Sequence, residues 1–206
     1  MIALVDYGMA NLRSVEKALQ SVGGDPVITS DPAQVLAADK VVLPGVGAFC
    51  AAMTNLDRSG LRDAVVQSIA QDKPFLGICL GFQMLFEGST EMGFSQGLNI
   101  LPGQVVRFFA DKPQVAALKV PHIGWNSLHF PRSSRLFEGL EEGARVYFVH
   151  SYYPEPQDPT LISATSDYGY DFCCAIERDN IAATQFHPEK SGAIGLQILR
   201  NFVSWK

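Results

Sequence analysis

The chain has 206 residues, is 47% hydrophobic and carries a net charge of −5, so it can bury a sizeable core, and its charge balance offers no basic cluster for nucleic acid or anionic lipid. No apolar run approaches a membrane span, and Met1 to Asp6 is too short and too soon interrupted for a signal peptide. The four cysteines, Cys50, Cys79, Cys173 and Cys174, have neither zinc spacing nor the pattern of a disulfide framework, so a reduced cytoplasmic protein without a bound metal is expected.

Ile2 to Val5 reads as a strand, and Asp6 to Asn11 as a turn able to cap a helix. Leu12, Val15, Leu19 and Val22 then mark one face of that helix, closed by Gly23-Gly24. Pro26 to Thr29 is a second strand. Asp31-Pro32 opens a short helix, with Asp as cap and Pro in the first turn. Lys40 to Leu43 is a third strand, followed by the loop Pro44 to Gly47. Phe49 to Leu56 and Leu61 to Gln71 read as helices. Pro74 to Ile78 is a short buried strand, and Leu80 to Phe86 reads as a helix start. Strands alternating with helices predict right-handed crossovers and a parallel sheet, with ligands at the carboxyl ends of its strands.

The second half changes character. Gly103 to Phe109, Val115 to Val120, Asn126 to Phe130, Arg145 to Tyr153, Leu161 to Ser166, Phe172 to Glu177 and Ile181 to Phe186 read as strands. Asp179-Asn180 is a hairpin turn between the last two. Ser191 to Trp205 is a closing helix with Ile194, Ile198, Leu199 and Phe202 inward. The expected class is α/β: a mixed, largely parallel central sheet flanked by helices, with antiparallel additions. Without repeats, low-complexity tracts or a linker, residues 1–206 read as a single domain.

Cys79 lies between strand and helix in the pattern Gly77-x-Cys79-x-Gly81. That is a nucleophile elbow with sulfur in place of a hydroxyl. A sharp strand-to-helix turn brings two backbones together, so the flanking positions want glycine. The turn lifts Cys79 over the sheet edge, a helix start behind it favours the reactive thiolate, and the Leu80 amide is left to stabilise an oxyanion. The competing reading is an inert cysteine in a buried strand. A nucleophile needs a base, and the base an orienting group. Of the four histidines, His187 ends an apolar strand and precedes Pro188-Glu189. Proline keeps the residue before it extended, and in extended chain Glu189 points the same way as His187. The competing reading is a surface turn with a solvated Glu189. His122 and His150 border strand ends and read as structural or site-lining.

Gly77-Ile-Cys-Leu-Gly-Phe-Gln83 together with Gln185-Phe-His-Pro-Glu189 resembles the class I, or triad, glutamine amidotransferases, over the whole chain. Three further segments resemble the glutaminase subunit of imidazole glycerol phosphate synthase: Asp6 to Val15, Pro44 to Phe49 and Pro121-His-Ile-Gly-Trp-Asn126. Ala10 departs from that pattern, where Gly is expected.

The resemblance implies that Cys79 attacks the carboxamide of glutamine, His187 takes and returns the proton, and Glu189 orients His187. It implies an oxyanion hole of the Leu80 and Val46 amides, and substrate contacts from Gly47, Gln83, Glu91, Ser151 and Tyr152. It implies no cofactor. It also implies a heterodimer with a (β/α)8-barrel cyclase that makes imidazole glycerol phosphate and AICAR in histidine biosynthesis, with Asn11, Trp125, Tyr147 and Lys190 at the interface. On the residues alone, Gln83 reads equally as a helix-surface side chain, Glu91 as a solvated loop charge, and Trp125 and Tyr147 as local core. The rival activities are another amidotransferase of the class, a stand-alone γ-glutamyl hydrolase and a non-catalytic glutamine-binding module.

Overall fold

Five apolar strands run parallel through the centre of the molecule. The computed structural model describes residues 1–110 and 118–205. The parallel strands are β1 (Ile2–Val5), β2 (Pro26–Thr29), β3 (Lys40–Gly45), β4 (Phe75–Cys79) and β13 (Ile181–Thr184). Two antiparallel strands, β12 (Asp171–Arg178) and β11 (Ile162–Asp167), extend the sheet, giving the order β11-β12-β13-β4-β3-β1-β2.

Every residue of β1, β4 and β13 is buried, as expected of parallel strands covered on both faces. Alternate residues serve the two sides. Ala3, Val5, Val41 and Leu43 pack under α2 (Pro32–Ala37), α3 (Phe49–Arg58) and α4 (Leu61–Ala70) through Val35, Phe49, Leu56 and Val65. Leu4, Val42, Leu76 and Ile78 pack under α1 (Leu12–Ser21) and α6 (Gly192–Ser204) through Val15, Leu19, Ile198, Leu199 and Phe202. Asp31 caps α2 by accepting from the Ala33 amide, and Pro32 stands in its first turn. Ile194, expected inward on α6, is only half-buried.

Several boundaries differ from expectation. The helix after Cys79, α5, covers only Leu80–Gln83, and Phe86 opens strand β5 (Phe86–Ser89) instead. β5 joins β6 (Ser95–Gln96), β7 (Leu101–Arg107) and β10 (Tyr152–Pro156) in a second sheet of order β10-β7-β5-β6. An apolar run suits either state, and here pairing of Phe86 with Leu101 decides for strand.

The run expected as one strand over Arg145 to Tyr153 is two. Its first part, β9 (Arg145–His150), pairs with β8 (His122–Ser127), and the chain changes partner at Ser151, whose carbonyl accepts from the Phe108 amide. The strand expected over Asn126 to Phe130 is the end of β8 followed by a bridge from His129 to Thr165. Half of the strand expected over Val115 to Val120, residues 115–117, lies outside the described residues, and 118–120 are not strand. The Asp179-Asn180 hairpin turn is present between β12 and β13, with Asp179 at φ 51°.

Candidate active site

β4 ends on Cys79 at φ 54° and ψ −108°. A side chain held in that region costs on the order of 1–3 kcal/mol, and its neighbours enforce it. A Cβ on Gly77 would stand 2.9 Å from the Gly81 carbonyl oxygen, and one on Gly81 would overlap the Leu43 carbonyl. The two glycines therefore let β4, α5 and β3 cross closely, and the crossing aims Cys79 into a cleft of about 390 Å³. α5 is only four residues long, so a single turn and not a full macrodipole stands behind Cys79.

His187 follows β13, the strand beside β4. Its Nδ1 lies 2.8 Å from Oε1 of Glu189, and both side chains are almost wholly buried. The extended residue before Pro188 places them as expected, with His187 at φ −99° and ψ 99°. Burial alone would disfavour a charged ring, but hydrogen bonding to Cys79 and Glu189 and the negative charge of both overturn it, raising the His187 pKa to about 10. Among the described residues Nε2 has no partner other than this approach to Cys79, which falls short of full hydrogen-bond geometry. On the other side of Cys79, Tyr7 donates to the Pro44 carbonyl at 3.0 Å, and burial, then the negative charge of Cys79, push its pKa up.

Val46, Gly47, Leu80, Gln83, Glu91, Ser151, Tyr152 and Lys190 all line the same cleft. Gln83 is buried rather than on a helix surface; its Nε2 donates to the Tyr152 carbonyl and to Gln185 Oε1, both at 3.0 Å. Glu91 is not a freely solvated charge, because its Oε2 accepts from the Phe49 amide at the start of α3, 2.7 Å away.

The Val46 amide is engaged elsewhere in this conformation. Its N–H donates to the Met9 carbonyl at 2.9 Å, so in this conformation it does not serve an oxyanion. The physical cause is that β3 runs on past Leu43 to Gly45, which pairs with Cys79 and fixes the peptide that follows.

Two further groups stand near the site: Gln185, to which the sequence assigned no role, and a pair of histidines read as structural or site-lining. Gln185 is fully buried, and its Nε2 reaches Cys79 Sγ at 3.7 Å. A polar side chain closing an apolar strand was the available signal, since it is buried only when bonded. The second group is the pair His122 and His150, with Nδ1 of the first 3.1 Å from Nε2 of the second. Burial lowers the His122 pKa to about 4. Burial lowers that of His150 to about 3, against a raising hydrogen bond to Tyr152 and with help from His122 and His187. His150 lines the cleft.

Among the residues expected at an interface, Trp125 is 49% exposed and is therefore not core. It faces Tyr147 across the β8–β9 ladder, with ring centroids 6.3 Å apart. Asn11 and Lys190 are exposed. A larger hollow of about 600 Å³ lies elsewhere, against Arg132 and Glu177. Its carboxylate is already satisfied by Ser134, Arg135 and the Leu136 amide, so it offers no comparable chemistry. Among the described residues no group of three or more His, Cys, Asp or Glu could hold a metal ion, and no helix is long and apolar enough to cross a membrane.

The family model for "Glutamine amidotransferase class-I" matches residues 3–205. The chain is 54% identical over 203 residues to "Imidazole glycerol phosphate synthase subunit HisH" of Syntrophotalea carbinolica, covering 98% of each. It is 51% identical over 203 residues to the protein of the same name from Methanothermobacter thermautotrophicus, again covering 98% of each. Among solved structures it is similar in fold to a glutamine amidotransferase, with TM-score 0.74 at 17% identity over the full length of both chains. It is also similar in fold to PurLQS from Thermotoga maritima, with TM-score 0.72 at 18% identity, covering 98% of this chain and 96% of that one. The elbow at Cys79, the His187–Glu189 pair and a match spanning nearly every residue lead to one assignment: the chain belongs to the class-I glutamine amidotransferases, an enzyme family, and within them to the HisH subunits of imidazole glycerol phosphate synthase.

Proposed function

We propose that residues 1–206 form one glutaminase domain that hydrolyses glutamine through a γ-glutamyl thioester on Cys79 and passes the ammonia to a (β/α)8-barrel cyclase. The product side is imidazole glycerol phosphate and AICAR in histidine biosynthesis, in the cytoplasm. The observation that carries the reading is Cys79 at a strained elbow, facing a histidine whose far nitrogen is held by Glu189.

In this reading the Cys79 sulfur attacks the side-chain carboxamide carbon of glutamine, and the carbonyl oxygen takes the electron pair. Protonated His187 gives its Nε2 proton to the nitrogen, the C–N bond breaks and ammonia leaves. A water then attacks the thioester, His187 accepts the water's proton, and the C–S bond breaks to release glutamate. Glu189 holds Nδ1 and balances the imidazolium. The Leu80 amide faces the oxyanion, and the Val46 amide joins it only once its bond to Met9 is broken. Glu91, fixed by the Phe49 amide, suits the α-ammonium of glutamine. Gly47, Gln83, Ser151 and Tyr152 complete the substrate wall.

Val46 and Trp125 leave apolar surface exposed at the mouth of the cleft and on β8. That surface, with Asn11, Tyr147 and Lys190, supports docking of the cyclase over the carboxyl edge of the sheet. Ammonia released to water is protonated and loses its nucleophilicity, so a closed route favours the pair. Mixed with the cyclase, the chain is expected to elute as a one-to-one complex, with a glutaminase rate that rises when the cyclase's nucleotide ligand is added. Elution alone, with an equal rate in both conditions, would favour a stand-alone hydrolase.

A further inference from the structure

The orientation of the amide beside the nucleophile can be deduced atom by atom. The Tyr152 carbonyl oxygen can only accept. It receives Nδ1 of His150 at 2.9 Å and the side-chain nitrogen of Gln83 at 3.0 Å. The atom of Gln83 facing Tyr152 is therefore its NH2, which settles the amide assignment that geometry alone leaves open. The same NH2 donates its second hydrogen to Gln185 at 3.0 Å, so the atom of Gln185 facing it is the oxygen. The remaining end of Gln185 is then its NH2, and it lies 3.7 Å from Cys79 Sγ.

The other branch from Tyr152 is equally one-directional. With Nδ1 of His150 donating, its Nε2 accepts from Nδ1 of His122 at 3.1 Å, and Nε2 of His122 accepts from the Asn126 amide at 3.4 Å. Reversing Gln83 would set its oxygen against the Tyr152 carbonyl, acceptor against acceptor, and reversing Gln185 would set donor against donor, each at a cost in a buried space.

We infer that Gln185 is a positioning residue for the nucleophile: its amide N–H, locked in one sense by Gln83 and the Tyr152 carbonyl, holds the Cys79 sulfur over the cleft. The inference rests on the reading of Cys79 as nucleophile. Cys79 has no cap bond of its own to the backbone of α5, so Gln185 is the side chain that fixes where the sulfur points. The other titratable groups around Cys79 are Tyr7, His187 and, behind it, Glu189. None of these three bonds to Gln185. Its backbone is tied separately, by its N–H to the Cys174 carbonyl at 2.8 Å, so the side-chain amide can be removed without releasing the strand.

The test uses Gln185→Met, which keeps length and volume but removes the donor. Glutaminase kcat is expected to fall about tenfold, the size of one hydrogen bond to a charged group, with KM for glutamine within about twofold. Alkylation of Cys79 by iodoacetamide is expected to slow about tenfold relative to exposed Cys50 in the same molecule. A purely structural role would leave the ratio of Cys79 to Cys50 alkylation unchanged, and that result would overturn the inference. Buried Cys173 and Cys174 report on the fold. If they become reactive in Gln185→Met, the ratio in Gln83→Met decides instead, since that change frees the Gln185 amide to turn while iodoacetamide needs no glutamine pocket. A wild-type Cys79 that resists a glutamine-like electrophile would sink the nucleophile reading itself, which is a separate outcome.

Discussion

His187 gives its backbone N–H to the carbonyl of Tyr147, 3.0 Å away, so the residue hangs from β9 as well as from the end of β13. Ser191 closes the clasp. Its hydroxyl accepts from the Tyr147 amide at 3.0 Å and donates to the His187 carbonyl at 2.6 Å, and the residue is buried. Ser191→Ala should cost about 1 kcal/mol of stability, because it leaves the half-buried Tyr147 amide unpaired. It should also lower kcat more than it raises KM, because the base loses its register. Denaturant unfolding and steady-state kinetics check the two halves independently, and unchanged values in both would remove the clasp from the account.

Cys79→Ala is expected to abolish glutamine hydrolysis with the fold intact, since alanine tolerates the elbow no worse than cysteine does. A glutamine-derived electrophile should mark Cys79 and spare Cys50, Cys173 and Cys174; even labelling of all four would contradict the assignment. Gly81→Ala is a different kind of change. Its Cβ would overlap the Leu43 carbonyl, a backbone atom that cannot rotate away. Loss of about 3 kcal/mol or more is expected, in the range of overpacking and strain. Circular dichroism melts of the two variants should separate them cleanly.

Glu91 is tied to the first turn of α3 through the Phe49 amide. Glu91→Ala should therefore raise KM for glutamine more than it lowers kcat, as expected when a binding contact is lost. It should also loosen α3 by about 1 kcal/mol, the usual worth of a helix-start acceptor. An unchanged KM would return Glu91 to a purely structural role.

The buried histidines make opposite predictions for pH. His122 and His150 have folded pKa values near 4 and 3, whereas an unfolded histidine titrates near 6.5. Below about 6.5 the unfolded chain binds more protons, so stability should fall as the pH drops through that window. His187, raised to about 10 by Cys79 and Glu189 against the opposing effect of burial, stabilises fully below about 6.5 and loses that contribution as the pH rises through 10. His122→Phe preserves the ring stacked between Phe148 and Tyr168. Its melting temperature should depend less steeply on pH between about 4.5 and 6.5 than that of the wild type. Parallel curves would mean that the pair does not set the acid limit.

The first half of the fold was legible because its signals are local. Asp31-Pro32 starts a helix wherever it stands, and β1, β2 and β4 are apolar runs bounded by turn residues. The same holds at the elbow, where Gly77 and Gly81 are demanded by contacts within a few residues of Cys79 or with the neighbouring strand. What stayed hidden depends on distant partners. Phe86 becomes strand because Leu101 is beside it, and Ser151 breaks a run because two different strands claim its two ends. Gln185 gained meaning only when β13 laid it against β4. The bond from the Val46 amide to the Met9 carbonyl was not legible, because that acceptor belongs to a loop whose path no local pattern dictates.

The position of β13 between β4 and β12 has a consequence for biogenesis. β4 pairs with β3 early in the chain, but its other edge waits for Ile181–Thr184, about a hundred residues later. Until then the nascent protein carries an apolar, unpaired edge and a nucleophile without its base. Such late, non-local pairing slows folding and leaves the edge open to other chains. Glutamine is thus safe from the growing polypeptide, and activity should appear in one step, with the docking of β13. Changes that weaken the β12–β13 hairpin, far from any substrate, should accordingly reduce soluble yield and specific activity together.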